Sequence, residues 1–346
     1  MKKVLVTGGA GFIGSHTCVE LIAAGYVPVI VDDMRNSDDR ILKGIEKIVQ
    51  RKVVLHRIDC GIETELEKVF REEGPFFGAI HFAAYKSVNE SVAEPVKYYA
   101  NNIGSLVSLL NVSKRHNMNR LVFSSSCAVY GLATSLPVDE KAPATNANSP
   151  YGYTKVVCEQ LLRDASHCDP DLRVVMLRYF NPVGAHPSAL IGELPLGIPN
   201  NLVPYVMQTA AGLRNELTIY GSDYGTPDGT CQRDYLHVVD LAKAHVQALN
   251  FLNTASSERC EVFNLGTGRA SSVKEVVDTF VRVTGAPVRS RMGPRRAGDV
   301  PSIFADASKA HKALGWSCAF DLADALRDAW AWQRTLDTDP VAASTP

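Results

Sequence analysis

The chain has 346 residues, 46% of them hydrophobic and 21% charged, a composition close to that of folded globular proteins and far from that of disordered ones. The length exceeds one ordinary core of roughly 100–200 residues, so two lobes or one enlarged α/β unit are expected. Thirty-six Lys and Arg against 37 Asp and Glu leave a formal charge of -1, which gives no overall basic field for a nucleic-acid backbone and argues against that partner.

The N-terminus runs from Met1-Lys2-Lys3 straight into a strand-like Val4-Leu5-Val6, and no run approaches the roughly 20 apolar residues that span a bilayer. Neither a secretory leader nor a membrane partner is expected. In chain order, strands are predicted at Lys3–Thr7, Val27–Asp32, Val53–Arg57, Ala79–Phe82, Arg120–Ser124 and Arg173–Arg178. Helices are predicted between them at Ile13–Ala24, Ile41–Gln50, Glu63–Glu72, Pro95–His116 and Tyr151–Ala165. This alternation is that of an α/β, doubly wound parallel sheet. After Arg178 the texture changes, with Asn181-Pro182, His186-Pro187, Pro195, Pro199 and Pro204 crowding a short interval. A lobe boundary is therefore expected, with residues 1–180 as one domain and 181–346 as a smaller, mixed α/β C-terminal lobe. A strand at Cys260–Leu265 and a helix at Val273–Thr284 follow, and part of the second half, near 233–265, is expected to return to the first sheet. The tail from Thr335 to Pro346 lacks apolar periodicity and is expected to fray.

The eight cysteines show no CxxC pair and no metal-ligand spacing, so they read as reduced thiols, small buried hydrophobes in a cytoplasmic protein without a metal. His81, inside an apolar strand, reads as a satisfied core histidine. Trp330 and Trp332 read as packing of the second lobe.

Thr7-Gly8-Gly9-Ala10-Gly11-Phe12-Ile13-Gly14 follows the first strand and opens the first helix. Gly8, Gly11 and Gly14 permit a tight turn, close approach of a pyrophosphate to backbone N–H groups, and close helix packing, as in a Rossmann domain. Asp32, 18 residues beyond Gly14 at the end of the second strand, can accept from both ribose hydroxyls and repel a 2′-phosphate. This favours NAD over NADP, although Arg35 nearby could accommodate that phosphate.

Ser126 ends the Leu121–Ser126 run, and Tyr151-Gly152-Tyr153-Thr154-Lys155 opens a later helix. Residues four apart share a helix face, so Tyr151 and Lys155 converge on one region. A tyrosine titrates near 10, but a neighbouring ammonium favours its phenolate. Tyr151 could then take a proton from a sugar hydroxyl whose oxygen Ser126 holds.

These strings, with His81–Val88, Tyr99-Ala100-Asn101-Asn102, Ser124-Ser125-Ser126, Arg178–Pro187, Gly197–Leu202, Asp228-Gly229-Thr230, Arg233-Asp234-Tyr235 and Pro294–Asp299, resemble the extended short-chain dehydrogenase/reductases. Within that family the likeness is to the branch that epimerises UDP-hexoses at C4. The resemblance implies that Phe12, Ile13, Asp32, Asn36, Ser37, Asp59, Cys60, Phe82, Ala83, Lys86, Asn101, Ser124, Tyr151, Lys155 and Tyr179 join the three glycines in holding NAD. It implies that Lys86, Ser126, Tyr151, Asn181, Asn201, Leu202, Thr218, Tyr220, Arg233, Arg296, Asp299 and Ile303 meet the UDP-sugar. Two arginines suit a diphosphate and an aspartate suits ribose hydroxyls, which supports part of that set independently. Ile303, four places after Asp299, would crowd an acetamido group at C2 and favour non-acetylated sugars.

The implied reaction interconverts UDP-glucose and UDP-galactose: Tyr151 removes the O4 proton, C4 is transiently oxidised by tightly bound NAD, the 4-keto sugar rotates, and hydride returns to the opposite face. Dehydratases of this fold usually carry an Asp-Glu pair beside the serine position, whereas Ser126 is followed by Cys127-Ala128. The alternatives are a C4 epimerase of another UDP-sugar, an N-acetylhexosamine or a uronate, and a non-catalytic NAD-sensing module, which would be expected to have lost the Tyr or Lys. The resemblance also implies a homodimer through the helices at Pro95–His116 and Tyr151–Ala165.

Overall fold

The computed structural model describes residues 1–133, 135–145, 147–254, 258–296 and 299–337. In the first half, strands β1 (Lys3–Thr7), β2 (Val27–Val31), β3 (Val54–His56), β4 (Gly78–His81), β5 (Arg120–Ser124) and β6 (Arg173–Tyr179) alternate with helices α1 (Phe12–Ala23), α2 (Asp39–Val49), α3 (Glu63–Glu73), α4 (Val88–Ala93), α5 (Pro95–Arg115) and α6 (Pro150–Cys168). The second half holds short strands β7 (Asn181–Val183), β8 (Leu217–Tyr220), β9 (Gln232–Arg233) and β10 (Tyr235–His237), then the longer β11 (Cys260–Leu265), then β12 (Ser271–Ser272), β13 (Ser290–Gly293) and β14 (Ser302–Ile303). Its helices are α7 (Leu202–Ala210), α8 (Val238–Phe251), α9 (Val273–Thr284), α10 (Ser308–Leu314) and α11 (Leu322–Asp337).

The large sheet follows from the alternation of its strands. Val4 and Val6 of β1 lie on one face with Ile30, Ile80, Val122, Val175 and Leu177, under α1, α2 and α8. Leu5 lies on the other with Val29, Val31, Ala79, Leu121, Phe123, Val174 and Met176, under α3, α5 and α6. Both faces are covered, so the strands read as continuous apolar runs, the mark of a buried parallel sheet. Each such aliphatic side chain contributes about 1.5–3 kcal/mol by burial. A one-residue slip of register would exchange the two faces.

The sheet is parallel throughout, in the order β11-β6-β5-β4-β1-β2-β3. The direction of winding reverses between β1 and β4, which opens a crevice at their C-terminal ends, where open α/β sheets take ligands. After the proline-rich stretch, α8 packs against α1 and β11 adds to the sheet beside β6. The rest of the second half builds small sheets, β13 with β8 and β12-β9-β14, around a core of Val203, Val206, Leu217, Ile219, Val276, Phe280 and Leu326.

Two expectations need correction. The chain does not fray at Thr335: α11 continues to Asp337, Thr335 Oγ1 donates to the Trp332 carbonyl at 2.8 Å, and Leu336 packs on the core around Trp332. Residues 338–346 lie outside the described residues. The cysteines are all unpaired, but Cys168 is exposed and Cys127, Cys260 and Cys318 are half-buried, so only Cys18, Cys60, Cys158 and Cys231 behave as core residues. Among the described residues no helix is long and apolar enough to cross a membrane, and no cluster of His, Cys, Asp or Glu could hold a metal.

Candidate active site

At the switch point the glycine turn is packed backbone to backbone. Gly8 has φ +70°, and a Cβ there would sit 2.8 Å from the Ala83 nitrogen after β4. A Cβ on Gly14 would sit 2.2 Å from the Gly8 carbonyl oxygen. The helix behind this turn begins without a side-chain cap and without an acidic residue in its first turn, so its open amides and positive dipole end suit an anion. Asp32 is fixed at the end of β2, where Oδ2 accepts from the Ala10 amide at 3.0 Å and Oδ1 from the Met34 amide at 2.9 Å. Burial pushes its pKa above the usual carboxylate range, against those two amides. Arg35 is held away from a free role: it donates to Asp59 and to the Tyr85 hydroxyl (2.6 Å), and pairs with Asp33 at 2.7 Å.

The turn opens on a cleft of about 370 Å³. Gly8, Gly11, Phe12, Ile13, Gly14, Asp32, Asn36, Ser37, Asp59, Cys60, Phe82, Ala83, Lys86, Asn101, Ser124, Tyr151, Lys155 and Tyr179 all line it. A dinucleotide fits this cradle: the turn has no room for a Cβ at Gly8 or Gly14, the open end of α1 lines the cleft, and a fixed carboxylate stands beside it at Asp32, the residue type that accepts from a ribose.

The part of the cleft that holds Tyr151 and Lys155 is built by α6 against the end of β5. Ser149 caps the helix by accepting from the Gly152 amide at 3.1 Å, and Pro150 starts it. Tyr151 and Lys155, one turn apart, are both buried. Lys155 Nζ donates to the Ser124 carbonyl at 2.8 Å and lies 4.8 Å from the centre of the Phe123 ring. Burial brings its pKa down to about 8, while Cys158 and Glu159 pull the other way. Burial also raises the Tyr151 phenol, Tyr179 adds to that, and the Ser126 hydroxyl opposes it. The Ser124 and Tyr179 hydroxyls share a hydrogen bond of 2.9 Å. Ser126 accepts from the Ala128 amide at 3.2 Å, capping a short 3₁₀ turn over Cys127–Tyr130.

The second group of expected residues divides. Lys86, Tyr151 and Asn201 line the same cleft, whereas Ser126, Asn181, Leu202, Thr218, Tyr220, Arg233, Arg296, Asp299 and Ile303 do not. Four of these gather elsewhere: Asp299 meets Arg296 at 2.8 Å and Arg233 at 3.6 Å, and Arg296 lies 5.9 Å from the Tyr220 ring centre. Thr218 and Tyr220 lie on β8, paired with β13. Asn181 opens β7, its amide bonded to the Asp234 carbonyl at 2.9 Å, and Leu202 is the first residue of α7. Ile303, only 7% exposed, packs with Val129, Tyr130, Val138 and Phe180 in a cluster that Cys127 borders. Ala297 and Gly298, within the Pro294–Asp299 string, lie outside the described residues.

His81 is a core residue, bonded through Nδ1 to Thr7 Oγ1 at 2.7 Å and held near pKa 3 by burial. It is not fully satisfied, because its Nε2 has no partner among the described residues. The sequence reading passed over Glu193. One of its carboxylate oxygens accepts from Lys86 Nζ at 3.0 Å and from Asn201 Nδ2 at 3.1 Å, bridging the two sides of the cleft. No periodicity in that proline-rich stretch points to it. Glu159 was also missed, although its i+4 spacing from Lys155 was a signal within reach.

The family model described as NAD dependent epimerase/dehydratase family matches residues 4–266. The chain is 50% identical over 331 residues to a UDP-glucose 4-epimerase of Dictyostelium discoideum, covering 96% of this chain and 95% of that one. A crystal structure of the UDP-glucose 4-epimerase from Stenotrophomonas maltophila, with bound NAD and formylated UDP-arabinopyranose, superposes with a TM-score of 0.94 at 48% identity, over 97% of this chain and 99% of that one. The Bifidobacterium longum enzyme, in complex with NAD+ and UDP, gives 0.92 at 46% identity over 96% and 98%.

Proposed function

The chain belongs to the NAD dependent epimerase/dehydratase family, and from that premise we propose that it is an NAD-dependent enzyme that interconverts UDP-glucose and UDP-galactose by inverting C4. The observation that carries the reading is that Tyr151, Lys155, Ser124 and Tyr179 line the same cleft as the glycine turn, with Lys155 bonded to the Ser124 carbonyl and Tyr179 to the Ser124 hydroxyl.

NAD, when bound, accepts two electrons and a hydrogen from C4 and later returns them to the other face of the ring. The chain's own residues do the rest. Gly8 and Gly14 let the amides at the start of α1 close on the pyrophosphate, and Asp32 accepts from the adenosine ribose. Arg35, occupied by Asp33, Asp59 and Tyr85, leaves no free guanidinium for a 2′-phosphate. Tyr151 exchanges the proton of O4, and Ser126 steadies the same oxygen. With a pKa of about 8, Lys155 is mostly an ammonium at neutral pH, and it stabilises the phenolate that burial alone would disfavour.

For the sugar nucleotide, Arg233 and Arg296 are assigned to the diphosphate and Asp299 to the ribose. Their present contacts with one another keep the three together. Lys86, Asn181, Asn201, Leu202, Thr218 and Tyr220 complete the site, and Ile303 borders the sugar. In this reading residues 1–180, with the returning β11, hold the cofactor, and the remainder of 181–346 holds the nucleotide sugar. Firm binding through UDP with few contacts to the hexose lets the oxidised ring turn over. A homodimer is inferred from Val92, Val96, Val107 and Tyr153, all exposed apolar side chains on α4, α5 and α6. Eight unpaired cysteines suit the reducing cytoplasm.

The test is conversion of UDP-galactose to UDP-glucose by purified protein without added NAD. Turnover with stoichiometric bound cofactor is expected, and protein that stays fully active after cofactor removal refutes the reading.

A further inference from the structure

The face of α6 that carries Tyr151 and Lys155 continues one turn further to Glu159, a carboxylate only 1% exposed. Its Oε1 accepts from Ser125 Oγ at 2.7 Å and from Arg178 Nε at 2.8 Å. Its Oε2 accepts from Arg178 Nη2 at 2.5 Å and from Arg163 Nη2 at 3.0 Å. Arg178, on β6, is buried as deeply, and its Nη1 donates to the Tyr130 hydroxyl at 3.0 Å. That hydroxyl in turn donates to Asn264 Oδ1 on β11 at 2.6 Å. Glu159, Arg178, Ser125 and Tyr130 all lie outside the lining of the cleft.

A buried ion pair is poor evidence of stabilisation, since apolar residues of similar volume often serve as well or better. What a forked guanidinium and a two-sided carboxylate supply is fixed geometry. The points they grip bracket the reactive strand end. Ser125 lies between Ser124, whose carbonyl holds Lys155, and Ser126. Tyr130 closes the 3₁₀ turn that Ser126 caps. The segment is thus tied to α6 directly through Ser125 and, on the other side of Ser126, from Tyr130 by way of Arg178, and α6 is the helix that carries Tyr151. We infer that Glu159 and Arg178 are positioning residues, which act through Ser125 and Tyr130 to hold the Ser126 hydroxyl at its working distance from the Tyr151 phenol. The inference rests on the proposed epimerase reading.

The experiment compares the parent with Ser125→Ala, Tyr130→Phe and Glu159→Gln in kcat and KM for UDP-galactose, bound NAD per chain, and Tm. The first two each remove one hydroxyl and leave the ion pair in place. Misplacement of a reacting group by about 1 Å can cost on the order of a hundredfold, so losing one tether is expected to lower kcat by about tenfold. KM and bound NAD are expected to stay within about twofold of the parent, and Glu159→Gln to lose more kcat than either. Unchanged kcat in both hydroxyl variants overturns the inference. A parallel fall of kcat, KM performance, NAD content and Tm also overturns it, because that is general loosening. Should Glu159→Gln fail to fold, the two hydroxyl variants decide the matter. An inactive parent overturns the epimerase reading and this inference with it, whereas an active parent with indifferent variants overturns only the inference.

Discussion

Gly14→Ala tests the cofactor cradle most sharply, because its outcome can be worked from contacts. The added Cβ would lie 2.2 Å from the Gly8 oxygen and 2.8 Å from the Gly9 Cα, and both are backbone atoms with no rotamer to yield. Carbon contacts are comfortable near 3.5 Å, so the start of α1 must retreat from the turn by roughly 1 Å. Overpacking of this kind costs about 1–3 kcal/mol. The amides displaced are those that the proposed binding mode sets against the pyrophosphate, and hydrogen bonds to a charged group are worth about 1.5–3 kcal/mol each. A net loss of about 2–4 kcal/mol corresponds to roughly 30- to 1000-fold weaker NAD binding. The assay is NAD content of the purified protein followed by titration of cofactor-depleted material. Gly225→Ala serves as the control, since a Cβ there meets nothing within 4 Å. Gly14→Ala protein with the parent's NAD content and affinity would refute the packing argument.

Tyr151→Phe is expected to lower turnover by about 10²–10⁴-fold while bound NAD stays at the parent level, and near-normal turnover would pass the acid–base role to another group. His16 and His81 are held near pKa 3 and His245 near 4, chiefly by burial. Below the unfolded value near 6.5 the unfolded chain therefore takes up protons that the native one refuses. Stability from these three is whole above about pH 6.5 and falls as pH drops towards 4, by about 2 kcal/mol per histidine at pH 5. Urea midpoints that match at pH 7 and pH 5 would contradict this. Ile303→Ser should lower stability by about 2–4 kcal/mol, because the side chain is buried among Val129, Tyr130 and Phe180. If it also borders the sugar, kcat/KM for UDP-N-acetylgalactosamine should rise about tenfold relative to UDP-galactose, and no relative gain would remove Ile303 from the sugar site.

The parts of the molecule that could be read from the chain are those where adjacent residues carry the information. Val4, Leu5 and Val6 are apolar on both faces because helices cover both, and the glycine turn is one unbroken string between β1 and α1, so the strands and the turn are legible together. Two-residue strands such as β9, β12 and β14 leave no pattern, since pairing from distant segments makes them strands. The six-residue α4 is equally short for a period to register. α11 runs past Thr335 because Leu336 finds a hydrophobic neighbour around Trp332, which local polarity does not report.

Buried charges are the hardest to read. Glu159 and Glu193 look like surface groups to any hydropathy pattern, yet Glu159 is carried inside and Glu193 is half-buried because specific partners are waiting: Arg178 and Ser125 for one, Lys86 and Asn201 for the other. Those partners lie 19 and 34 residues away from Glu159, and 107 and 8 away from Glu193. Such a pairing is a property of the folded sheet. Tyr151, Lys155 and Glu159 follow one another at four-residue steps along α6, while Ser124, Ser125 and Arg178, which bond to Lys155 and Glu159, are near only in space. A variant that spares every residue lining the cleft can therefore still disable the site, and Ser125 is the position where that consequence is most directly exposed to experiment.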